Sequence, residues 1–311
     1  MYDGILNINK PARMTSFDVV SIIRKLTGMK KVGHTGTLDP DAEGVLVLCV
    51  GEALKCVEYM MNKDKEYIAK IKFGTQTDTQ DSSGQTINSS DKRILPEEMK
   101  NIVDIFQGKQ NQTVPIYSAI KVKGKKYCDI VRKGLEIEGG PKEREIEINK
   151  SFIETFKLND RGLVEEADIY IHCSKGTYIR TICNDIGVKA GTCAHMSHLK
   201  RIRAGNFKLE DSISLDGLKN MAEKGVLSKA FIPKEYAFNE CRKHIFDNDN
   251  IKRITNGIQI NLNLTNLSEI FYTDEYIRIY NESHEIRAIG KVIDKNDSKY
   301  IKGYRIFSES N

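Results

Sequence analysis

Gly33-His34-Thr35-Gly36-Thr37-Leu38-Asp39-Pro40-Asp41-Ala42-Glu43-Gly44 runs directly into the apolar segment Val45-Leu46-Val47-Leu48-Cys49-Val50. Glycine and proline together impose an irregular backbone that few other residues adopt. The apolar run that follows reads as a buried strand. An acidic side chain in such a loop, braced by that strand, is held firmly enough for chemistry. Two familiar motifs nearly fit and both fail. Gly28 to Thr35 has the spacing of a phosphate-binding loop, but His34 stands where lysine is required, and a helix rather than a strand precedes it. Asp39, Asp41, Glu43 and Gly44 imitate half of a calcium loop, whose closing glutamate is replaced by Val50 after a stretch of apolar residues.

The 311 residues are enough for one large domain and a smaller one, with ordinary apolar and charged fractions. No apolar run approaches the roughly 20 residues that span a membrane, and no secretory signal is visible. Seven scattered cysteines without a C-x-x-C pair point to reduced thiols in the cytoplasm. His195 and His198 lack further ligands at metal spacing, so no metal is expected. The net charge of +5 is mild. Lys30-Lys31, Lys121 to Lys126 and Lys200 to Arg203 nevertheless form local basic clusters able to follow a phosphate backbone. Each cluster taken alone reads better as a solvated charged face, and only the three together favour RNA or DNA.

Along the chain, Gly4 to Asn9 reads as a strand. Thr15 to Asp18 is a capping box for a helix that Gly28 stops. Ala53 to Met61 suggests a second helix. Tyr67, Ala69, Ile71 and Phe73 alternate with Glu66, Ile68, Lys70 and Lys72, a strand with one buried face. Asp78 to Asp91 is polar and predicts a flexible loop. Pro96 opens another helix. Ile116 to Val122 predicts a strand and Lys125 to Lys133 a short helix. Two longer strands are expected at Ile146 to Phe156 and Leu163 to Cys173, then a helix after Gly176. The irregular alternation favours an α+β domain with a mixed, largely antiparallel sheet over a doubly wound one. A crossover from Ser212 to Lys234 separates the last part, where Glu269 to Phe271, Tyr276 to Tyr280 and Ile286 to Val292 are candidate strands. The expected division is residues 1–230 and a small β-domain over residues 235–311.

The loop from Gly33 to Leu46 closely resembles the active-site motif of the bacterial tRNA pseudouridine synthases that modify uridine 55 in the T-loop. Other pieces match in order: Leu6 to Pro11, Tyr67 in K-E-Y, Gly74 to Asp78, Pro115 to Lys121, His172 to Arg180, and Ala194-His195 with Leu199-Lys200-Arg201. The match covers roughly the first two-thirds of the chain through several independent motifs. It implies a catalytic domain of the pseudouridine synthase type. The small β-domain resembles the PUA type only weakly.

The resemblance implies an isomerase that cuts the C1′–N1 bond of uridine, rotates the base and rejoins it through C5, with no cofactor. Asp39 corresponds to the nucleophile or its equivalent, and a carboxylate suits covalent attack on a sugar carbon or the base. Without the motif, an aspartate before proline is a turn-former. Arg180 matches the arginine that pairs with this aspartate, and Tyr67 the tyrosine that stacks on the base or moves a proton. Tyr178, Leu199 and Lys10 match substrate-pocket positions, although Lys10 reads better as a support beneath the site. His34 matches the histidine that fills the RNA stack when the base is flipped out. The basic clusters then become contacts to the RNA backbone.

A stand-alone, cytoplasmic, monomeric enzyme acting on tRNA without protein partners is the reading that follows, with a second, tRNA-folding activity as an addition. A guide-RNA-dependent relative shares the loop but carries extra N-terminal sequence and lysine-rich tails. A binding module that has lost catalysis is disfavoured by the presence of Asp39, Tyr67 and Arg180 together.

Overall fold

A computed structural model of the chain describes residues 2–118, 120–122, 125–131, 134–135, 139–265 and 270–308. Its centre is a ten-stranded mixed sheet. The main path runs Ile213–Ser214, Gly4–Lys10, Glu43–Val50, Ala194–Ala204, Lys65–Phe73, Val164–Cys173, Glu143–Leu158 and Gly108–Thr113. All neighbours are antiparallel except the first pair and the central pair, Glu43–Val50 with Ala194–Ala204. That central pairing is short, Lys200 against Glu43 and Arg201 against Gly44, and the Asp39 loop leaves the sheet at this point.

The apolar run after Gly44 is continuous because both of its faces are covered. Leu46, Leu48 and Val50 join the core under the helices Ser16–Thr27 and Ile179–Lys189. Val45, Val47 and Cys49 face a second core completed by Phe238, Ile289 and Phe307. Leu46 and Leu48 are fully buried, and each contributes about 2 kcal/mol. The strand is thereby pinned from both sides, and the loop it carries inherits that rigidity. Lys65–Phe73 alternates as its sequence predicts, with Tyr67, Ala69, Ile71 and Phe73 buried.

Ser16–Thr27 begins with the expected capping box. Thr15 Oγ1 accepts from the Asp18 N–H at 3.0 Å, and the Thr15 N–H donates to Asp18 Oδ2 at 2.8 Å. Gly28 closes it at φ +68°, a left-handed conformation that glycine adopts without penalty.

Residues 242–306 build a separate five-stranded sheet in the order Arg242–Ile245, Tyr276–Tyr280, Ile286–Lys295, Ser298–Ile306, Ile260–Asn261, closed by the helix Asn248–Thr255. It packs against Tyr59, whose ring meets Tyr276 of the sheet edge-on at 5.3 Å and stacks on Phe238, just before the sheet, at 4.1 Å. No helix among the described residues is long and apolar enough to cross a membrane.

Several expectations are corrected. The crossover at 212–234 carries structure of its own: Ile213–Ser214 adds a strand to the main sheet, and Leu215, Leu218 and Leu227 enter its core. Residues 78–91 are ordered by a hairpin, Thr75–Thr77 with Thr86–Ser89, because Asp78 and Asp81 accept backbone and hydroxyl hydrogens within the turn. The strand expected at Ile116 to Val122 shrinks to Lys121–Val122, paired with Lys125–Lys126, and the following helix is Tyr127–Val131. Arg132 and Lys133 lie outside the described residues, as does Glu269, while Phe271 precedes the next strand without joining it.

Candidate active site

The backbone from Thr35 to Ala42 is tied down by several separate parts of the chain. The Thr35 N–H donates to Val47 O at 3.0 Å, and the Ala42 N–H to Asp39 O at 3.1 Å. Ser16 Oγ accepts from the Leu38 N–H at 2.9 Å and donates to Leu38 O at 3.1 Å. Pro40 O accepts from Lys10 Nζ at 3.0 Å and from the Met14 N–H at 3.2 Å. From the other side, Arg201 Nε donates to Val45 O at 2.7 Å and Nη2 to Gly36 O at 3.1 Å. Leu38 and Ala42 are buried on either side of Asp39. Such over-determination fixes the backbone that carries Asp39 before any substrate arrives, which is what positioning for catalysis requires.

Gly44 shows why the loop tolerates no bulk. It sits at φ +100°, and a Cβ there would lie 2.2 Å from Arg201 O. The central strand pair can approach so closely only because residue 44 has no side chain.

Asp39 lies where two lobes of one cleft meet, and it shares that junction with Tyr117, Arg180 and Leu199. One lobe is lined by Lys65, Tyr67, Tyr178 and Arg201, the other by Thr79, Asp81, Ser83 and His198. Tyr67 is buried, and burial pushes its phenol up, opposed by the Arg201 guanidinium beside it. The phenol therefore remains a proton donor at neutral pH. Tyr178 caps the helix Ile179–Lys189, and its backbone N–H and C=O are both held by the Gln112 side chain, at 2.8 and 2.9 Å.

Arg180 is only 7% exposed. Its partners differ from the expected one. Nη1 lies 3.4 Å from Asp81 Oδ2, and Nη2 donates to Tyr117 O at 2.6 Å. Asp39 forms no ion pair among the described residues, so Arg180 and Asp39 are neighbours in the cleft wall rather than a pair.

Two further expectations change, those for Lys10 as a substrate contact and for the Lys200 to Arg203 cluster. Lys10 is completely buried and does not line the cleft. Its ammonium donates to Pro11 O, Met14 O and Pro40 O at 2.9, 2.6 and 3.0 Å, so it supports the loop rather than binding substrate. Burial lowers its pKa to about 8. His34 also lies outside the cleft lining. Its Nδ1 accepts from the Gly36 N–H at 3.3 Å, and burial, aided by Arg201, pushes its pKa below the ordinary value, leaving the ring neutral. The Lys200 to Arg203 cluster is spent internally: Lys200 pairs with Glu43 at 3.3 Å and Arg203 with Glu66 at 2.7 Å, while Arg201 is buried. Lys30 and Lys31 remain exposed. Lys123 and the side chains of Lys121, Lys125 and Lys126 lie outside the described residues.

Sequence reading missed Asp81, Tyr117 and Arg201 as parts of the site. Asp81 had a usable signal: Thr79 and Ser83 flank it at the spacing of hydroxyl-capped turns, and both hydroxyls donate to its Oδ1, at 2.7 and 2.5 Å. Tyr117 and Arg201 had one too, since both lie in segments that match the family, Pro115 to Lys121 and Leu199-Lys200-Arg201, although an arginine in a basic run otherwise looks like a surface residue.

Residues 24–179 match the TruB family pseudouridylate synthase N-terminal domain, and residues 180–239 match the tRNA pseudouridylate synthase B C-terminal domain. The chain belongs to the TruB family of pseudouridylate synthases. A protein of Clostridioides difficile (strain 630) named tRNA pseudouridine synthase B is 39% identical over 304 residues, covering 97% of this chain and 99% of that one. The Bacillus subtilis (strain 168) protein of the same name is 41% identical over 259 residues, 83% of each chain. Among solved structures, a chain of an H/ACA RNP bound to a substrate RNA containing 2'-deoxyuridine superposes with a TM-score of 0.74 at 22% identity, covering 98% of this chain and 85% of its own. A chain of a Cbf5-Nop10-Gar1 complex gives 0.71 at 22% identity, covering 99% and 84%. At that identity the likeness carries the TruB-type fold: a mixed α+β domain with a small C-terminal β-sheet. The Asp39 loop, Tyr67 and Tyr178 all fall within the first matched segment, and Arg180 and Leu199 within the second.

Proposed function

We propose that this TruB-family enzyme isomerises uridine 55 in the T-loop of tRNA to pseudouridine, with Asp39 as the reacting carboxylate. The observation that carries this reading is the fixed Asp39 loop at the junction of the two cleft lobes, in a chain nearly co-extensive with proteins named tRNA pseudouridine synthase B. The target base is extruded from its stack at a cost of a few kcal/mol and enters the lobe beside Tyr67 and Leu199. His34 fills the vacated place. Asp39 attacks or assists departure at C1′, the C1′–N1 bond breaks, the base turns, and C1′ bonds to C5. The C5 hydrogen leaves to solvent and N1 gains a proton, so the reaction is redox-neutral. The Tyr67 phenol offers a flat face and an O–H for these transfers.

Residues 1–230 would carry catalysis and residues 235–311 act as a PUA-like module on the RNA, in a cytoplasmic monomer that needs no protein partner. A second activity in tRNA folding would draw on the same binding surface. Tritium release from tRNA transcripts labelled at uridine C5 tests the whole reading. Release should come from position 55 alone and stop when that uridine is replaced by cytidine. Release from another position, or none from an unmodified transcript, overturns it.

A further inference from the structure

We infer that Arg144 grips a phosphodiester bordering the extruded nucleotide. This rests on the RNA-modifying function proposed above and adds a specific backbone contact to it. The lobe that holds Tyr67 is lined by four cations, Lys65, Arg144, Arg180 and Arg201, against the single carboxylate of Asp39. Three of the four are committed. Lys65 Nζ donates to Met61 O and Lys63 O at 2.7 and 2.5 Å, Arg201 to Val45 O and Gly36 O, and Arg180 to Tyr117 O beside Asp81.

Arg144 differs. It is half-buried in the cleft wall, and among the described residues no carboxylate pairs with it. One of its five N–H groups is accounted for, by a bond from Nη1 to Gly176 O at 3.0 Å. Its guanidinium lies over the Tyr178 ring, 5.5 Å from the centroid, so the head group is oriented without being neutralised. Gly176 makes room for it: at φ +78°, a Cβ there would fall 2.4 Å from Arg144 Nη1.

Register explains the placement. Arg144 is the cross-strand partner of Gln112, so the two side chains share a face of the sheet. Gln112 spends its amide on the Tyr178 backbone, whereas Arg144 reaches over the same segment with donors to spare. A planar cation with free parallel N–H groups, in a cleft that must admit a nucleotide, matches a phosphate in charge and in geometry. Its anchorage to Gly176 and Tyr178 puts that phosphate at the entrance of the base lobe.

The test uses the full chain and an unmodified T-arm stem-loop RNA. Affinity is measured in an Asp39→Asn background over roughly 50 to 200 mM salt, and single-turnover rates with Asp39 intact. Arg144→Gln should weaken affinity about tenfold and reduce the log–log salt slope by about 0.7 to 0.9, the signature of one lost phosphate. The loss should appear in the half-saturating concentration rather than in the saturating rate. Arg144→Lys should restore the slope but only part of the affinity, because an ammonium keeps the charge and loses the fork. An unchanged salt slope in Arg144→Gln, or a collapse confined to the saturating rate, overturns the inference and leaves Arg144 as a support for Tyr178. If the wild-type chain itself neither binds nor modifies the RNA, the proposed function fails with it.

Discussion

Arg180 Nη1 lies 3.4 Å from Asp81 Oδ2, 99 positions away in the chain, while Asp39 stands in the same cleft without an ion pair among the described residues. The arginine is thus held by one carboxylate while it lines the same cleft as another. Its fork is held still by the bond from Nη2 to Tyr117 O.

Asp81→Asn should therefore impair catalysis without unfolding the protein. The amide oxygen still accepts from Thr79 and Ser83, but the charge facing Arg180 is gone. Loss of a charge-assisted bond worth about 1.5–3 kcal/mol predicts a roughly 10- to 100-fold lower saturating rate. Arg180→Lys should be comparably damaging. Wild-type rates in Asp81→Asn under single-turnover conditions would show that Asp81 does not orient Arg180.

Asp39→Ala removes the carboxylate proposed to react and leaves the loop's backbone bonds in place. Isomerisation should fall to background, with RNA affinity within about tenfold, or ~1.4 kcal/mol. Appreciable tritium release by this variant would exclude Asp39 as the reacting carboxylate.

Lys10→Met should cost stability. The thioether fills much of the volume but removes the ammonium donor from Pro11 O, Met14 O and Pro40 O, of which Pro40 O keeps the Met14 N–H. A loss of about 2–4 kcal/mol in urea unfolding is expected, together with a slower reaction as the Asp39 loop loosens. A loss under about 1 kcal/mol would mean that solvent replaces the ammonium.

Gly44→Ala forces a Cβ into Arg201 O at a positive φ. It should destabilise by about 3 kcal/mol or more, because the central strand pair must part. Thermal unfolding of the variant, compared with Gly28→Ala, whose Cβ meets nothing, separates the clash from the backbone strain alone.

The pH dependence of stability has a definite sign. Burial pushes the thiols of Cys56, Cys173 and Cys183 up to about 12, against an ordinary value of 9.0. Their contribution is whole below pH 9.0 and is lost as the pH climbs towards about 12, because the unfolded chain ionises first. Lys10 and Lys65, lowered from 10.5 to about 8, act oppositely and add stability as the pH rises between those values. Unfolding free energies should therefore decline above about pH 9, more steeply beyond the lysine window. Cys183→Ala should make the decline shallower by about 1.4 kcal/mol per pH unit. An unaltered slope in that variant would refute the assignment.

Whatever depends on neighbours along the chain was legible in the amino-acid order. Thr15 and Asp18 cap a helix because they are three residues apart, Tyr67 to Phe73 alternate because a strand has period two, and the Gly-Pro loop before Val45 carries its family signature wherever it folds. The choice of partners was not. Whether Arg201 meets solvent or the carbonyls of Gly36 and Val45, whether Lys10 meets substrate or Pro40, and whether Arg180 pairs with Asp39 or Asp81 depend on strand order and register. These contacts join residues from 30 to 165 positions apart. A charged side chain is chemically the same in either setting. Only the fold, by burying it beside particular carbonyls or leaving it in the cleft, assigns it to support or to chemistry.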